Sequence, residues 1–397
     1  MRFLLLKDGR KTDEWSETLD VAPLQSVAYQ LPASRIPSVI DGSEYHLQVS
    51  LLQQNATPAI PANYEVAWEE LELPWKQRHQ SARKQVGEAT EPIEALDSDT
   101  TLTLSGRSFA YVFDKKNGTL SSLQYHNSEY LERGPIGNVW RAPLSNESDS
   151  WGNGFAHTGE RRAGMGNGPS NPWFAAGLDR LTSQNIRFSW QQLSDGNVQV
   201  TVKNVQQSGN FTTVWEDLFL YTLAPDGRMT LKHTLIPWGK QPAWIPKAGI
   251  ELVMNRRFRF IEWFGRGPEE NYPDRKTGYK TGIYRMPVKD MYVPYLEPQD
   301  YGNRTDVRYC LLTDAEGNGL KISGSALFNL SARLVSTDNL TRARYPFQLN
   351  FTDDVTLNID YEISGVGCNA ISVMNRYRVF PRQFTFTTIF EPIKNNN

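Results

Sequence analysis

The stretch LFLYTLAPDGRMTLKHTLI, residues 218–236, decides the fold class. Apolar residues alternate on both sides of Pro225-Asp226-Gly227, so a period-two pattern is interrupted by turn chemistry. It reads as strand, turn, strand. Outward from it the same pattern recurs. Phe109, Tyr111 and Phe113 alternate with Ala110 and Val112, then run into DKKNGTL, whose Asn-Gly pair marks a hairpin. VQVTVKNV (198–205) alternates, and FQLNFTDDVTLNIDYEI (347–363) reads as two strands about Asp353-Asp354. RQFTFTTIF (382–390) closes the chain as another strand. Helix-period segments are scarce, with one turn expected in WFAAGLDRL (173–181). The class is therefore all-β, built of sandwiches.

A boundary shows in KQRHQSARKQVGEATEPIEALDSD, which is polar, charged and free of aromatics. Residues 77–98 read as a linker. Residues 1–76 before it form a small unit read as an immunoglobulin-like β-sandwich. YHLQVSLLQ (45–53) alternates cleanly there. In YEVAWEELELP, Val66 and Trp68 share one face while Leu71 and Leu73 fall in the other register, so a bulge is expected near Glu69-Glu70. Met1 sits two residues before the first apolar run, so the leading strand is either clipped or paired elsewhere. Residues 99–397 are too many for a simple sandwich and imply one large double sheet. Within them SNESDSWGNGFAHTGERRAGMGNGPSNP (145–172) is a long aperiodic loop of the functional or mobile kind.

Lys and Arg total 42 against 44 Asp and Glu, a net charge of −2. No basic excess is present to neutralise a phosphate backbone, so nucleic acid is excluded as the expected partner. No apolar run reaches membrane-spanning length, which argues against a membrane partner. MRFLLLKDGR is too short for a signal-peptide core. The two cysteines, Cys310 and Cys368, make no disulfide framework and point to a reducing, cytoplasmic compartment. Eleven Trp and seventeen Tyr suit stacking on sugars, although filling β-sheet cores accounts for them more simply.

WFGRGPEENYPDR, Trp263 to Arg275, places Glu269, Glu270 and Asp274 within six residues. A retaining glycosidase needs two carboxyl groups about 5–5.5 Å apart. Adjacent side chains in extended chain point to opposite faces, so Glu269 and Glu270 cannot flank one bond. Gly-Arg-Gly-Pro and Tyr-Pro-Asp are turn chemistry, and the stretch reads as a structural corner. The five histidines are scattered, and no metal set is expected within the chain.

The same stretch, with DMYVPYLEPQDYGNRTDVRY (290–309), closely resembles the last domain of the β-galactosidases of glycoside hydrolase family 2. The matching residues are Gly265, Gly267, Pro268, Glu270, Tyr272, Asp274 and Arg275, then Tyr295, Pro298, Gln299, Gly302, Asn303, Arg304, Asp306, Val307 and Arg308. Asp300 stands where the family has Glu. WRAPLSNESD (140–149), WFAAGLDRL and YEVAWEELELP also resemble family segments.

The resemblance implies a galactose-mutarotase-like β super-sandwich over 99–397. It implies a C-terminal or small-subunit portion that completes a galactoside site and stabilises an oligomer. The catalytic acid/base and nucleophile, and most ligands of Mg²⁺ and Na⁺, lie on a (β/α)₈ barrel that has no counterpart pattern here. The expected partner is therefore a barrel-bearing chain, with no catalytic residue and no metal ligand on this one. The family's substrate-facing loop matches GVGCNAISVMNRYRV, giving Gly365, Gly367, Cys368, Asn369 and Ile371 as expected substrate contacts. Ile371 stands where many relatives carry a stacking Trp. A mobile loop of the family aligns with Lys203–Thr212, adding Asn204 and Gln206. A rival reading is a free-standing carbohydrate-binding or mutarotase-like domain, with His233 or His157 and Glu251 or Glu269 as its acid and base.

Overall fold

The computed structural model describes residues 1–37, 42–75, 92–148, 170–209, 211–367 and 373–394. Contacts divide the chain into two units: Met1–Gly87 with Lys280–Ile283, and the remainder from Glu88. No helix among the described residues is long and apolar enough to cross a membrane.

In the first unit, β1 (Arg2–Lys7), β2 (Arg10–Ser16), β3 (Tyr45–Leu52) and β4 (Glu65–Leu73) form one antiparallel sheet in the order β2-β1-β3-β4. Of the expected sandwich, the described residues contain this single sheet. Its apolar face buries Phe3, Leu5, Trp15 and Leu47, with Phe3 stacked on Trp15 at 4.9 Å. The other face carries His46, Gln48 and Glu70. The bulge is not at Glu69-Glu70. Pairing is continuous from Ala67 to Leu73, and the shift falls between Leu51 and Leu52, where Val66 is the extra residue. The two registers of β4 serve two faces: Leu73 joins the apolar side, while Glu70 belongs to the polar one.

On that polar face His46 Nε2 lies 2.5 Å from Glu44, and Nδ1 is 3.4 Å from Glu70. Burial pulls the imidazole down, but the two carboxylates outweigh it and raise His46 to about 9. Burial pushes Glu70 up, while His46, Thr281 and Gln48 bring it down to about 2. His46 therefore holds its proton more tightly folded than unfolded. Its contribution is complete below its ordinary 6.5 and is lost as pH rises through about 9. Glu70 contributes fully above its ordinary 4.5 and loses that as pH falls through about 2. Thermal unfolding against pH should show the first unit most stable between those ordinary values. His46→Ala should flatten the alkaline limb, and an unchanged limb would refute the assignment.

The second unit has two layers. β5 (Glu94–Asp97), β6 (Thr101–Ser105), β7 (Phe109–Asp114), β8 (Thr119–Tyr125) and β9 (Ser128–Glu129) form a meander in sequence order. β5 lies inside the segment read as linker: its pairing with β6 brings residues 94–97 into this unit. The larger sheet draws on β10 (Leu131–Asn138), β11 (Thr182–Gln192), β12 (Val198–Gln207), β13 (Thr213–Leu223), β14 (Met229–Gly239), β15 (Lys247–Met254), β16 (Phe260–Gly267), β17 (Lys280–Pro287), β18 (Arg304–Thr313), β19 (Gly319–Arg333), β20 (Val355–Ile363) and β21 (Phe384–Ile393). Its path is β10-β15-β20-β19-β21-β14-β13-β12-β11, with β18 and β16 leading off β19.

Alternation explains the layering. β12 and β13 bury every second residue, which puts Val198, Val200 and Val202 opposite the inward Leu102, Tyr111 and Phe113 of the meander. Phe113 meets Tyr221 edge-on at 5.1 Å. The 218–236 hairpin forms as read, with its turn between β13 and β14. Residues 347–352 do not form a strand. Pro346–Gln348 make one 3₁₀ turn, and only β20 is extended, because Pro346 cannot donate to a ladder. WFAAGLDRL gives a short helix, Ser170–Ala175, and a 3₁₀ turn, Leu178–Arg180.

At one end of the second unit a separate cluster packs Trp140, Trp173, Trp215 and Trp244 with Val373 and Val379. Trp173 meets Trp140 and Trp244 edge-on and donates Nε1–H to the Trp244 carbonyl at 2.8 Å. These tryptophans are core, as the simpler account of the composition has it. Most of the 145–172 loop, residues 149–169, lies outside the described residues.

Candidate functional site

β16 ends at Gly267, and the chain turns through Pro268 into the corner. Glu269 is exposed and Glu270 is buried, so the adjacent carboxylates face opposite ways. Glu270 accepts from Arg275 Nη2 at 2.7 Å, from the Gly302 amide at 2.8 Å and from the Tyr295 hydroxyl. Burial, then the bond to Glu270, push the Tyr295 phenol up to about 12. A carboxylate holding three donors is committed to structure. Glu269→Gln should leave stability nearly unchanged. Glu270→Gln should cost about 1.5–3 kcal/mol, since charged acceptors are lost beneath the corner. Chemical denaturation of both variants checks this, and a loss in Glu269→Gln as large as that in Glu270→Gln would overturn it.

The residues after Glu270 fasten the two motifs together. Asn271 and Asn303 exchange backbone and side-chain bonds at 2.8 Å, and Asn271 Oδ1 accepts from Thr305 N at 2.9 Å. Tyr272 donates to Asp300 at 2.9 Å, and Asp300 pairs with Arg333 at 2.6 Å in a fully buried site. Asp274 reaches farthest. Its carboxylate accepts from Val366 N at 2.9 Å and Gly367 N at 2.8 Å. WRAPLSNES closes the other side. Arg141 and Glu147 form a buried two-pronged pair at 2.7 and 2.8 Å, Arg141 reaches the Gly365 carbonyl at 3.4 Å, and Asn146 donates to the Val366 carbonyl at 2.7 Å.

The Gly365–Gly367 loop is thus held on several sides by side chains. A Cβ on Gly365 would stand 2.4 Å from the Asp274 carboxyl, so only glycine fits. Gly367 has φ +64, the left-handed region where glycine carries no penalty. Gly365 and Gly367 are accordingly brought together with Asp274 and Arg141. Cys368, Asn369 and Ile371 lie outside the described residues.

Asn204 and Gln206 are placed differently. They continue the buried register of Val198, Val200 and Val202 on β12, so residues 203–207 are strand rather than loop. Asn204 donates to the Gly118 carbonyl at 2.9 Å and accepts from Asn185 at 2.8 Å. Gln206 donates to the Gly137 carbonyl and to Asp217. Both amides are engaged inside the sandwich.

Of the rival acid and base candidates, His233 and Glu251 are engaged too, while Glu269 is exposed. His233 is fully buried, with Nε2 3.1 Å from Asp217 and Nδ1 2.8 Å from the Tyr361 hydroxyl. Burial pushes Glu251 up, but Arg133 and Lys247 hold it below its usual value, and Thr337 donates to it at 2.7 Å. His157 lies outside the described residues.

The family model described as "Beta galactosidase small chain" matches residues 105–390. The chain belongs to the β-galactosidase small-chain family. The model "Beta-galactosidase, domain 4" matches residues 1–74. Among similar proteins, a β-galactosidase of Priestia megaterium is 31% identical over 91% of this chain and 32% of its own length. One from Streptococcus thermophilus is 24% identical over 91% and 32%, and β-galactosidase 2 of Enterobacter cloacae is 26% identical over 98% and 36%. This small-chain family member thus spans about a third of the length of the curated relatives it matches. A galactose 1-epimerase of Lactobacillus acidophilus is similar in structure at TM-score 0.41 and 11% identity, covering 77% of this chain and all of that one.

Proposed function

We propose that this chain is the C-terminal, small-subunit portion of a β-galactosidase of glycoside hydrolase family 2. It supplies one wall of the galactoside site and stabilises an oligomeric assembly, and it cleaves no bond itself. Retaining hydrolysis of terminal β-D-galactosides belongs to carboxylates on a barrel-bearing partner or on domains outside this chain. The observation that carries this reading is the held loop. Asp274, Arg141 and Asn146 fix Gly365–Gly367, where a fold alone would need no such convergence. A positioned wall lowers the cost of ordering a substrate. We place the protein in the cytoplasm and assign it the galactoside as ligand, without nucleic acid or membrane.

Mg²⁺ and Na⁺ belong in this reading to the assembly. Among the described residues no three His, Cys, Asp or Glu side chains converge as a metal would require, and no role of this chain is routed through one. The test is hydrolysis of a chromogenic β-galactoside by the purified chain, alone and with a barrel-bearing partner. Turnover appearing only on mixing is the expected result, and turnover by the chain alone would sink the reading.

A further inference from the structure

Besides Asp274, two stretches of chain support the Gly365–Gly367 loop. One is the end of β20, which runs into it through Ser364, and the other is the segment from Trp140 to Asn146. Both lead back to one buried cation. Lys247, at the start of β15, is 1% exposed. Its Nζ stands 3.1 Å from Asp360 Oδ1 and donates to Asp360 Oδ2 at 3.3 Å and to Asn358 Oδ1 at 2.6 Å. Asp360 and Asn358 are buried as well.

Asp360 governs the first support. β15 and β20 pair in step up to Gly249 and Asp360, then Tyr361 is an extra residue and pairing resumes at Ala248 and Glu362. A bulge bends and twists its strand, so it sets the direction in which the chain leaves the sheet. Here the chain leaves as Ser364, which donates N–H to the Pro246 carbonyl at 2.8 Å and Oγ–H to the Ile245 carbonyl at 2.7 Å. Lys247 is paired with Ile363, so its bond to Asp360 spans the bulge diagonally. Asn358 governs the second support. Its Oδ1 also accepts from Asn138 Nδ2 at 3.2 Å, Asn138 Oδ1 accepts the Trp140 N–H at 2.8 Å, and the next residue, Arg141, reaches the Gly365 carbonyl.

Desolvation offsets most of the attraction in a buried ion pair, and the best-attested use of such a pair is to fix one arrangement among several. The charged groups acting on Asp360 are Lys247 on β15, Arg333 on β19 and Asp300 ahead of β18. Arg333 is taken by Asp300, and the nearby Glu251 by Arg133, which leaves Lys247 to Asp360. Burial pushes the Asp360 carboxyl up to about 6, with Lys247 pulling the other way. Folded Asp360 thus holds its proton more tightly than unfolded Asp360. Its contribution to stability is complete below its ordinary 3.8 and is lost as pH rises through about 6. Acid therefore breaks the ion pair without weakening the fold through this group.

We propose that Lys247 is a positioning residue: through Asp360 and Asn358 it aims the Gly365–Gly367 loop from both of its supports. The aiming stands on this chain alone. Its bearing on galactoside turnover rests on the function proposed above.

The test takes Lys247→Met and Asp360→Asn in the purified chain and reads hydrogen exchange at the Gly365, Val366 and Gly367 amides, which donate to Tyr377 and Asp274. Exchange there should quicken about tenfold in both variants at neutral pH, with the β12 and β13 amides unchanged. In an assembled enzyme, Asp360→Asn should lower kcat/KM about tenfold at about pH 7.5 and about twofold or less at about pH 5, where the native carboxyl is protonated too. The ratio of native to variant at each pH cancels the partner's own titrations. A merely stabilising Asp360 would give the opposite trend, because its contribution to the fold is largest in acid. If Lys247→Met fails to fold, the nearly isosteric Asp360→Asn decides alone. Unaltered exchange at the loop amides of folded Asp360→Asn, or a kcat/KM ratio that does not vary with pH, overturns the proposal. The expected exchange result without turnover on mixing with a barrel-bearing partner would sink the proposed function and leave the aiming standing.

Discussion

Gly365→Ala should destabilise the second unit by about 1–3 kcal/mol, and Asp274→Ala should remove most of that cost. The reason is spatial. The new Cβ would sit 2.4 Å from the Asp274 carboxyl, which cannot retreat while it accepts from Val366 and Gly367. Asp274→Ala alone loses two bonds to a charged acceptor, each about 1.5–3 kcal/mol before water replaces part of it. In the double variant the nearest obstacle to the methyl, the Asp274 carboxyl, is gone, so the two costs should not add. A coupling of about 0.5–3 kcal/mol in denaturant unfolding is the expected signature. Strict additivity would mean that Asp274 does not restrain the loop in solution.

The same variants bear on the proposed function. If the loop is a wall of the galactoside site, releasing it misplaces the substrate. An assembled enzyme carrying Asp274→Ala should then lose about 10- to 100-fold in kcat/KM, beyond what its remaining folded fraction accounts for. Asp274→Asn retains one acceptor and should fall between wild type and Ala. A kcat/KM that tracks folded fraction alone would confine Asp274 to stability.

The all-β class was legible because burial of one face writes period two directly into the sequence, as in 198–205 and 218–236. The corner's failure as a carboxylate pair was legible for the same reason: Glu269 and Glu270 alternate. The bulge in β4 was misplaced because alternation shows that two faces exist but not that one of them is polar. Resemblance puts Asn204 and Gln206 in a loop, whereas both lie on β12 at the inward positions after Val202; the apolar alternation breaks there, with Val205 on the opposite face, so nothing periodic marks these two amides as buried. What could not be read was the reach of Asp274 to residues 366 and 367. A bond across 92 residues leaves no periodic trace. The local signal, a carboxylate after Tyr-Pro, is the same for a turn cap and for a long-range clamp. Glycines 365 and 367 carried the only hint, since close approach and positive φ both select glycine.

Asp300→Ala should be the most damaging single change in the corner, at about 3–5 kcal/mol. Asp300 and Arg333 are both fully buried and 2.6 Å apart. Removing the carboxylate leaves a guanidinium without its counter-charge, which costs more than the pair contributes. Among the described residues Arg333 would keep two neutral hydrogen-bond acceptors, the Tyr301 carbonyl at 3.0 Å and Ser331 Oγ at 2.9 Å, with the Asp360 charge acting on it without a hydrogen bond. Tyr272 would lose its acceptor as well. Burial, then the Asp300 and Glu270 charges, push that phenol well above its usual value, so its proton has nowhere else to go. Two companion variants separate charge from packing. Asp300→Leu with Arg333→Met removes both charges and should cost clearly less than Asp300→Ala, because no unpaired ion remains. Asp300→Glu adds a methylene where exposure is 1%, and should cost about 1–3 kcal/mol. Urea unfolding of the three would rank them. A double variant as unstable as Asp300→Ala would show that shape, not charge, governs this site.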